Sequence, residues 1–529
     1  MKRKSCINRF FLLLLGALTA LPLLFDGLAL LSFVLWAPFA YYAKRSIERP
    51  LREIYFSALL FFWGYFMAAF SFFVYMYPLD FAGLDTFSSV TVILAAVLLL
   101  PLLQSALFSP SVLLLALAGK RKLFRFPCAF SLFFASLCLV FFYLQNFTWL
   151  GVPWASPALA LTSSPILIQS ASLLGSFFLT FLILFVGALL AEAFDAFRAC
   201  KDKAALLAAA LAVILFLSNL FTGLALTHKT SHGETLKVAV LQGNSPIKNR
   251  MSDWRAKDTY KALALDASKE GADLMLWPES VFHHALETDS ALQEYFSSVA
   301  KETNAIQVVG VFSFKKENDE GKLYNSLFLF YPNGEQSEII YHKRRPVPFG
   351  EYLPMPKLFS ALIPALADIN MLSRDVDAGK DTNLFDTEHG RLGALICFDS
   401  IYPTLAREST NDGAELLLVA TNDTWFDGSF AKNMHLSHAV LRAVENGRAV
   451  ARAGNTGYSA IIDENGVILS AVPLDESGYA VATVNLNEGK TLYTTVGNAF
   501  VYAVIAFLVF YPFFLFLIEK KKKQPSKKA

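Results

Sequence analysis

Cysteine is scarce in this chain of 529 residues: there are five, Cys6, Cys128, Cys138, Cys200 and Cys397, and only the last lies beyond residue 225. No two have the CxxC spacing of a metal site. Cys397 has no disulfide partner in its own stretch of sequence, which leaves either chemistry or a small buried side chain as its use. Charge is also scarce: Asp, Glu, Lys and Arg make up 17% of the residues and nearly cancel, at a net +2. Ionisable groups are almost missing from the apolar runs, where Glu192 stands only at an edge. Ion-coupled transporters and pumps need charged side chains at membrane depth, so that class is disfavoured, and an anchor or a scaffold giving access to lipid remains.

What the chain has in excess is apolar surface: 55% hydrophobic residues, 49 Phe and a mean hydropathy of +0.44, values foreign to a water-soluble globule. Apolar runs of about 17 to 25 residues suit a hydrocarbon core about 30 Å thick. Eight are expected, near 9–25, 27–43, 55–77, 87–108, 124–143, 166–191, 203–224 and 498–518. Basic residues test their orientation. Lys2, Arg3, Lys4 and Arg9 precede the first run; Lys44, Arg45, Arg49 and Arg52 follow the second; Lys120, Arg121, Lys122 and Arg125 follow the fourth; Arg198, Lys201 and Lys203 follow the sixth. The tail adds Lys520 to Lys523, Lys527 and Lys528, whereas the connections 78–86 and 144–165 hold no Lys or Arg. Every basic cluster falls on one side, so both termini are expected in the cytoplasm and residues 225–497 on the far side, in a bacterium the periplasm. The first run also resembles a secretory signal; an uncleaved helix is the expectation. In FTWLGVPW, Phe147, Trp149 and Trp154 read as an aromatic belt at the outer interface.

The expected organisation is a seven-helix bundle over 1–226, a catalytic domain over 227–496, and an eighth helix with a basic tail over 497–529. Within 227–496, LKVAVLQG, DLMLWPE, IQVVGVFSF, NSLFLFYP, EIIYHK, RLGALIC, ELLLVATND, RAVARAG, YSAIID and AVATVNL read as strands, with helices near 255–270, 287–303 and 433–447. Hairpins fall at NGE, 333–335, and ENG, 464–466. The order implies a layered α/β domain with a mixed sheet system.

Three segments place a reactive side chain just after an apolar strand: Glu279 after DLMLWP, Lys343 after EIIYH and Cys397 after RLGALI. A carboxylate to take a thiol proton, a thiolate to attack a carbonyl and an ammonium to stabilise the resulting oxyanion are the parts of acyl transfer through a thioester. The backbone N–H of Phe398 is a second donor to that oxyanion. Each has a plainer reading: a lone thiol is more often inert, Glu279 could be a helix N-terminal acid, and Lys343 a solvated neighbour of Arg344 and Arg345. His435 and His438 read as packing residues, and Asn422 and Asp423 as loop organisers. The apolar stretch 352–372, broken by Pro354, Pro356 and Pro364, is either core or a mobile arm that gates acyl entry, with Leu358 and Phe359 touching substrate.

Taken together, VAVLQGN (238–244), LWPES (276–280), YHKRRPVPFGEYLP (341–354), ICFDS (396–400), TNDTWF (421–426) and ENGRAVARAGNTGYSAIID (445–463) resemble the nitrilase superfamily. With the apolar runs, the whole chain resembles its membrane branch, the apolipoprotein N-acyltransferases. That resemblance implies an αββα sandwich joined to eight helices, with Glu279 as general base, Lys343 as oxyanion stabiliser, Cys397 as nucleophile and Glu351 as a supporting acid. It implies a phospholipid acyl donor and a diacylglyceryl-modified apolipoprotein as acceptor at the bacterial inner membrane, with no cofactor, metal or nucleic acid. Departures from the family pattern lie outside the triad. Asp399 replaces a Glu, Trp254 lies further from QGN than the usual Trp, and Asp427 stands where Gly is common; Trp254 and Asp399 are candidate substrate contacts. Two competing readings are a membrane-tethered amidase or nitrilase acting on a small soluble C–N substrate, and a non-catalytic lipid-binding scaffold.

Overall fold

A computed structural model describes residues 2–80, 83–227, 233–246, 251–282, 284–317, 320–362 and 374–523. The chain forms two compact units: Met1–Ser71 with Val97–Ala225 and Val496–Ala529, and Phe72–Ala96 with Leu226–Thr495.

The first unit is helical. Among the described residues, five helical runs are long and apolar enough to cross a membrane: Asp26–Arg45, Thr86–Lys120 (shared with the other unit), Ser176–Arg198, Asp202–Leu226 and Ala499–Lys520. The other three expected spans correspond to the shorter apolar helices Phe10–Leu24 and Ala129–Leu144 and to Leu51–Ala69, which opens on Arg52 and Glu53. Without much hydrophobic drive between helices in lipid, close backbone approach has to hold them together. Gly16 and Gly64 supply it: a Cβ on Gly16 would fall 1.9 Å from the Phe61 carbonyl oxygen, and one on Gly64 would fall 1.9 Å from that of Leu13. Phe39 stacks on Phe61 at 3.5 Å nearby.

Three boundaries differ from expectation. The third helix ends at Ala69 rather than 77, and Ser71–Met76 continues as a 3-10 turn. Phe72 there packs edge-on against Phe426 and Phe430, which places the segment from Phe72 to Ala96 in the second unit. The fourth run continues to Lys120 through a π-helical turn at Ala95–Leu99. The sixth begins at Ser176 rather than 166, because Gly175 at φ +79° separates it from the short turns Pro165–Ile168 and Ala171–Leu174. Trp154 is buried at 3% exposure and so belongs to the packing of its unit rather than to a belt, while Phe147 is 59% exposed.

The second unit carries two six-stranded sheets. One is ordered β12-β1-β2-β3-β4-β5 and the other β11-β10-β9-β8-β7-β6. The strands are β1 Thr235–Gln242, β2 Leu274–Leu276, β3 Ile306–Glu317, β4 Glu320–Phe330, β5 Gln336–His342, β6 Phe385–Thr387, β7 Gly390–Ile396, β8 Leu416–Thr421, β9 Ala449–Gly454, β10 Ala460–Ile462, β11 Ile468–Ala471 and β12 Gly478–Asn485. The ten expected strands are present; β6 and β11, short edge strands of three and four residues, had too little periodicity to be read. β1, β2 and β3 run parallel, as do β7, β8 and β9. Those of the second sheet are covered on both faces, which is why they read as unbroken apolar runs. Inner-face residues such as Val238, Leu276 and Val308 meet Ala394, Ile396 and Leu418 in one core. Helices α1 Asp253–Lys269 and α2 Ser290–Thr303 cover the first sheet through Tyr260, Phe296 and Val299. Helices α3 Pro403–Asn411 and α4 Ala431–Asn446 pack on β7 and β9. The result is the four-layer αββα sandwich. Both hairpins form, with Gly334 and Gly466 at φ +84° and +82°.

Candidate active site

Parallel strands that end on the same edge of a sheet bring their following residues together. β2 ends three residues before Glu279, and β7 ends immediately before Cys397. Lys343 directly follows β5, and its backbone N–H donates to the Asn325 carbonyl of β4 at 2.8 Å, extending that ladder to the site.

The side chains converge. Lys343 Nζ lies 2.8 Å from Glu279 Oε1 and 2.8 Å from Glu351 Oε2, and it is 1% exposed. Glu279, Lys343 and Thr421 surround the Cys397 thiol closely enough to act on its proton affinity. Asn325 Nδ2 donates to Glu279 Oε1 at 2.6 Å and to Glu351 Oε1 at 2.9 Å. The Val347 N–H donates to Glu351 Oε2 at 2.7 Å. Glu351 is thus tied to Lys343 directly and to Glu279 through Asn325. Cys397 retains accessible surface and adopts φ +48°, a left-handed conformation. For a residue with a Cβ this costs on the order of 1–3 kcal/mol and persists only where the surroundings impose it.

The electrostatics follow from crowding two carboxylates around one ammonium away from water. Burial pushes the Glu279 carboxyl up; Lys343 pulls it down, and Glu351 pushes it up again, leaving it above the ordinary carboxylate range. Burial opposes the charge on Lys343, but Glu279 and Glu351 outweigh it and hold the ammonium protonated well above its usual range. Burial, then Glu279, raises the Cys397 thiol well above its ordinary value, against the pull of Lys343. At rest the site therefore holds a protonated thiol beside a carboxylate of raised proton affinity. Among the described residues, no group of three His, Cys, Asp or Glu side chains is placed to hold a metal ion.

The remaining candidates divide. Phe398 follows the thiol in the 3-10 turn Cys397–Ile401 and is 8% exposed, its ring edge-on to Tyr402 at 5.5 Å. Asp399 is fully buried, and its oxygens accept from Tyr341 Oη at 2.8 Å and from the N–H groups of Ile396, Arg344 and Arg345 at 3.1, 3.3 and 2.8 Å. Its oxygens are engaged by four donors, so it ties the turn at Cys397 to the Lys343 segment. Trp254 stands in the first turn of α1, 69% exposed and outside this constellation. Leu358 is 44% exposed on the short helix Pro356–Leu362, where Phe359 also lies. Met355, Pro356, Lys357 and Ala361 are exposed as well, whereas Pro354 is buried and Tyr352 and Leu353 are half-buried, so the stretch leaves the core after Pro354; residues 363–373 lie outside the described residues.

A second buried cluster adjoins the first. Asp423 accepts from His435 Nδ1 at 2.8 Å and from Arg452 Nη2 at 2.7 Å, all three groups fully enclosed. Burial opposes the charge on Asp423, yet Arg452 and His435 hold its carboxyl well below the usual range. His435 Nε2 reaches the Cys397 carbonyl at 3.2 Å. Sequence reasoning missed Asn325, Thr421 and Arg452. Arg452 did leave a signal: a charged residue in the middle of the apolar strand RAVARAG has to be paired if it is buried. Asn325, first in the expected run NSLFLFYP but in the middle of β4, gave only the weak one that Asn is uncommon in strands.

Residues 15–189 match the apolipoprotein N-acyltransferase N-terminal domain family, and residues 237–493 the carbon-nitrogen hydrolase family. The apolipoprotein N-acyltransferase of Geobacter metallireducens is 33% identical over 364 residues, covering 67% of this chain and 68% of that protein. That of Rickettsia typhi is 27% identical over 397 residues, 74% of this chain and 77% of the relative. Among solved structures, an amidase from Nesterenkonia sp. is 20% identical, with a TM-score of 0.39 over 52% of this chain and 98% of the amidase. By the extent of its match to the Geobacter protein and the pairing of these two domains, the chain belongs to the apolipoprotein N-acyltransferase family.

Proposed function

We propose that this protein is a membrane-bound N-acyltransferase that moves a fatty acyl chain from a phospholipid, through a Cys397 thioester, to the α-amino group of an N-terminal diacylglyceryl-cysteine. The observation that carries the reading is the convergence of a thiol, a carboxylate and an ammonium, with Lys343 2.8 Å from Glu279 and the Cys397 thiol beside both.

In the first half-reaction Glu279 takes the Cys397 proton as the sulfur attacks the ester carbonyl of the phospholipid. Charge builds on the carbonyl oxygen, where Lys343 Nζ and the Phe398 N–H receive it. Collapse breaks the C–O bond, Glu279 returns its proton to the leaving oxygen, and a lysophospholipid departs. The thioester then waits. In the second half-reaction the neutral α-amino nitrogen attacks; with a reference pKa of about 7.7 to 8.0, a useful fraction is unprotonated near neutrality. Glu279 accepts the proton the nitrogen sheds and passes it to the departing thiolate, giving the amide and the free thiol. Glu351 and Asn325 hold Glu279 and Lys343 in register. The raised proton affinity of Glu279 suits a base that must take a proton from a thiol and then from an amine.

The positive-inside pattern supports an inner-membrane protein with cytoplasmic termini and a periplasmic catalytic domain. The exposed helix Pro356–Leu362 supports an arm that meets the acyl chain through Leu358 and Phe359; Trp254 is a further candidate contact. An amidase acting on a small soluble substrate is not favoured, since residues 15–189 match the N-acyltransferase N-terminal domain family.

The test is intact-mass analysis after incubation with labelled phospholipid. A fatty acyl adduct is expected on the unaltered protein and not on Cys397→Ala. Release of a lysophospholipid with no adduct, or label left entirely on the lipid, would sink the thioester route.

A further inference from the structure

The reaction above uses Glu279, Lys343 and Cys397 and leaves one fully buried ionisable group beside the nucleophile without a task, His435. Its surroundings define its hydrogens. Ser400 Oγ donates its single hydrogen to the Cys397 carbonyl at 2.7 Å. His435 Nε2 lies 3.2 Å from that carbonyl and 3.2 Å from Ser400 Oγ, whose hydrogen is already committed, so Nε2 is the donor to both. Nδ1 faces the Asp423 carboxylate at 2.8 Å, which has no hydrogen to give, so Nδ1 donates as well. Asp423, itself clamped by Arg452 at 2.7 Å, braces the ring from the side opposite the Cys397 carbonyl.

The Cys397 carbonyl and the Phe398 N–H belong to one peptide unit. That unit is planar and trans, so the two groups point in opposite directions. Holding the carbonyl on His435 and Ser400 therefore fixes where the N–H of Phe398 points, away from α4, and opposes relaxation of Cys397 from φ +48°. We propose that His435 is a positioning residue for the oxyanion site: its ring, braced by Asp423 and Arg452, pins the Cys397 carbonyl so that the Phe398 N–H is aimed at the developing negative oxygen. The inference rests on the thioester reading of Cys397.

An oxyanion donor matters to attack on a carbonyl and not to displacement at a saturated carbon, and two reactions of the same thiol separate these. Full-length His435→Gln, which keeps an N–H near the carbonyl but loses the ring held between it and Asp423, and His435→Leu are compared with the unaltered protein. The first reaction is single-turnover acylation by vesicles of radiolabelled phosphatidylethanolamine; the second is alkylation of Cys397 by iodoacetamide. Losing one oxyanion donor costs about 10²- to 10³-fold, so a misaimed one is expected to slow acylation by roughly 10- to 100-fold. His435→Gln should be slowed less than His435→Leu, with KM little changed and alkylation close to that of the unaltered protein. If His435→Leu does not fold, His435→Gln alone decides. Acylation of His435→Gln at the unaltered rate overturns the proposal, and so does an equal fall in acylation and alkylation, which would mean that the thiol itself had moved. If the unaltered protein forms no acyl adduct, it is the thioester reading that fails.

Discussion

Two neighbouring clusters in the catalytic unit contain a buried carboxylate, and the two carboxylates are perturbed in opposite directions. Glu279 shares one ammonium, Lys343, with a second carboxylate, Glu351, and ends above the ordinary range. Asp423 accepts from two partners, Arg452 and His435, and ends well below it. Burial is equal in kind for both, so the count of partners decides the sign. The shared cluster keeps a carboxylate ready to take a proton, whereas the saturated one keeps a charge fixed and serves as a brace. Perturbation by itself does not mark a catalytic group; its direction separates the base from the strut.

Substitutions should divide the clusters along that line. The largest expected effect is on rate: Glu279→Gln should lower acylation about 10²- to 10⁴-fold, the range for a lost general base, while the protein still folds. Stopped-quench adduct formation measures this, and a near-normal rate would remove Glu279 from the mechanism. Asp423→Asn should act mainly on stability. It leaves Arg452 buried with its counter-charge gone, a cost of about 3–5 kcal/mol that thermal melting would register. A melting temperature unchanged in Asp423→Asn would erase the distinction between the clusters.

The acid limb of the pH–rate profile is a finer probe. Glu279 must be ionised to act, so the rate should fall as pH drops through its value, at a pH above the ordinary carboxylate range. Glu351 contributes to that elevation, so in Glu351→Gln the limb should move to lower pH even as the rate declines; a shift to higher pH would contradict the assigned coupling. The smallest effect is expected furthest from both clusters. Replacing Leu358, Phe359 and Leu362 together by Ser should slow acylation by phospholipid without altering expression or folding, and unchanged acylation would reject the arm.

Much of this was legible before any coordinates. Glu279, Lys343 and Cys397 each follow an apolar strand, and a strand end is a local property of periodicity. The apolar runs were equally plain, since residues such as those of 203–224 carry their signal in composition. Boundaries were less so: Gly175 breaks the sixth run, and the segment after Ala69 leaves its helix because Phe72 finds Phe426 and Phe430, partners about 350 residues away that no local window can contain. Asp399 looked available to substrate in ICFDS, and only the fold shows its oxygens engaged by Tyr341 and three backbone N–H groups.

The sequence by itself determined which segments are apolar, where their basic flanks lie, and which reactive side chains stand at strand exits, because hydrophobic period and charge placement act over a few residues. Tertiary structure alone decided that Asn325 bridges two acids, that Glu279 rather than Asp423 keeps a high proton affinity, and that His435 lies against the carbonyl of Cys397. Those outcomes depend on Coulomb and hydrogen-bond contacts shorter than 4 Å between groups tens to hundreds of residues apart, and only packing brings such groups within reach.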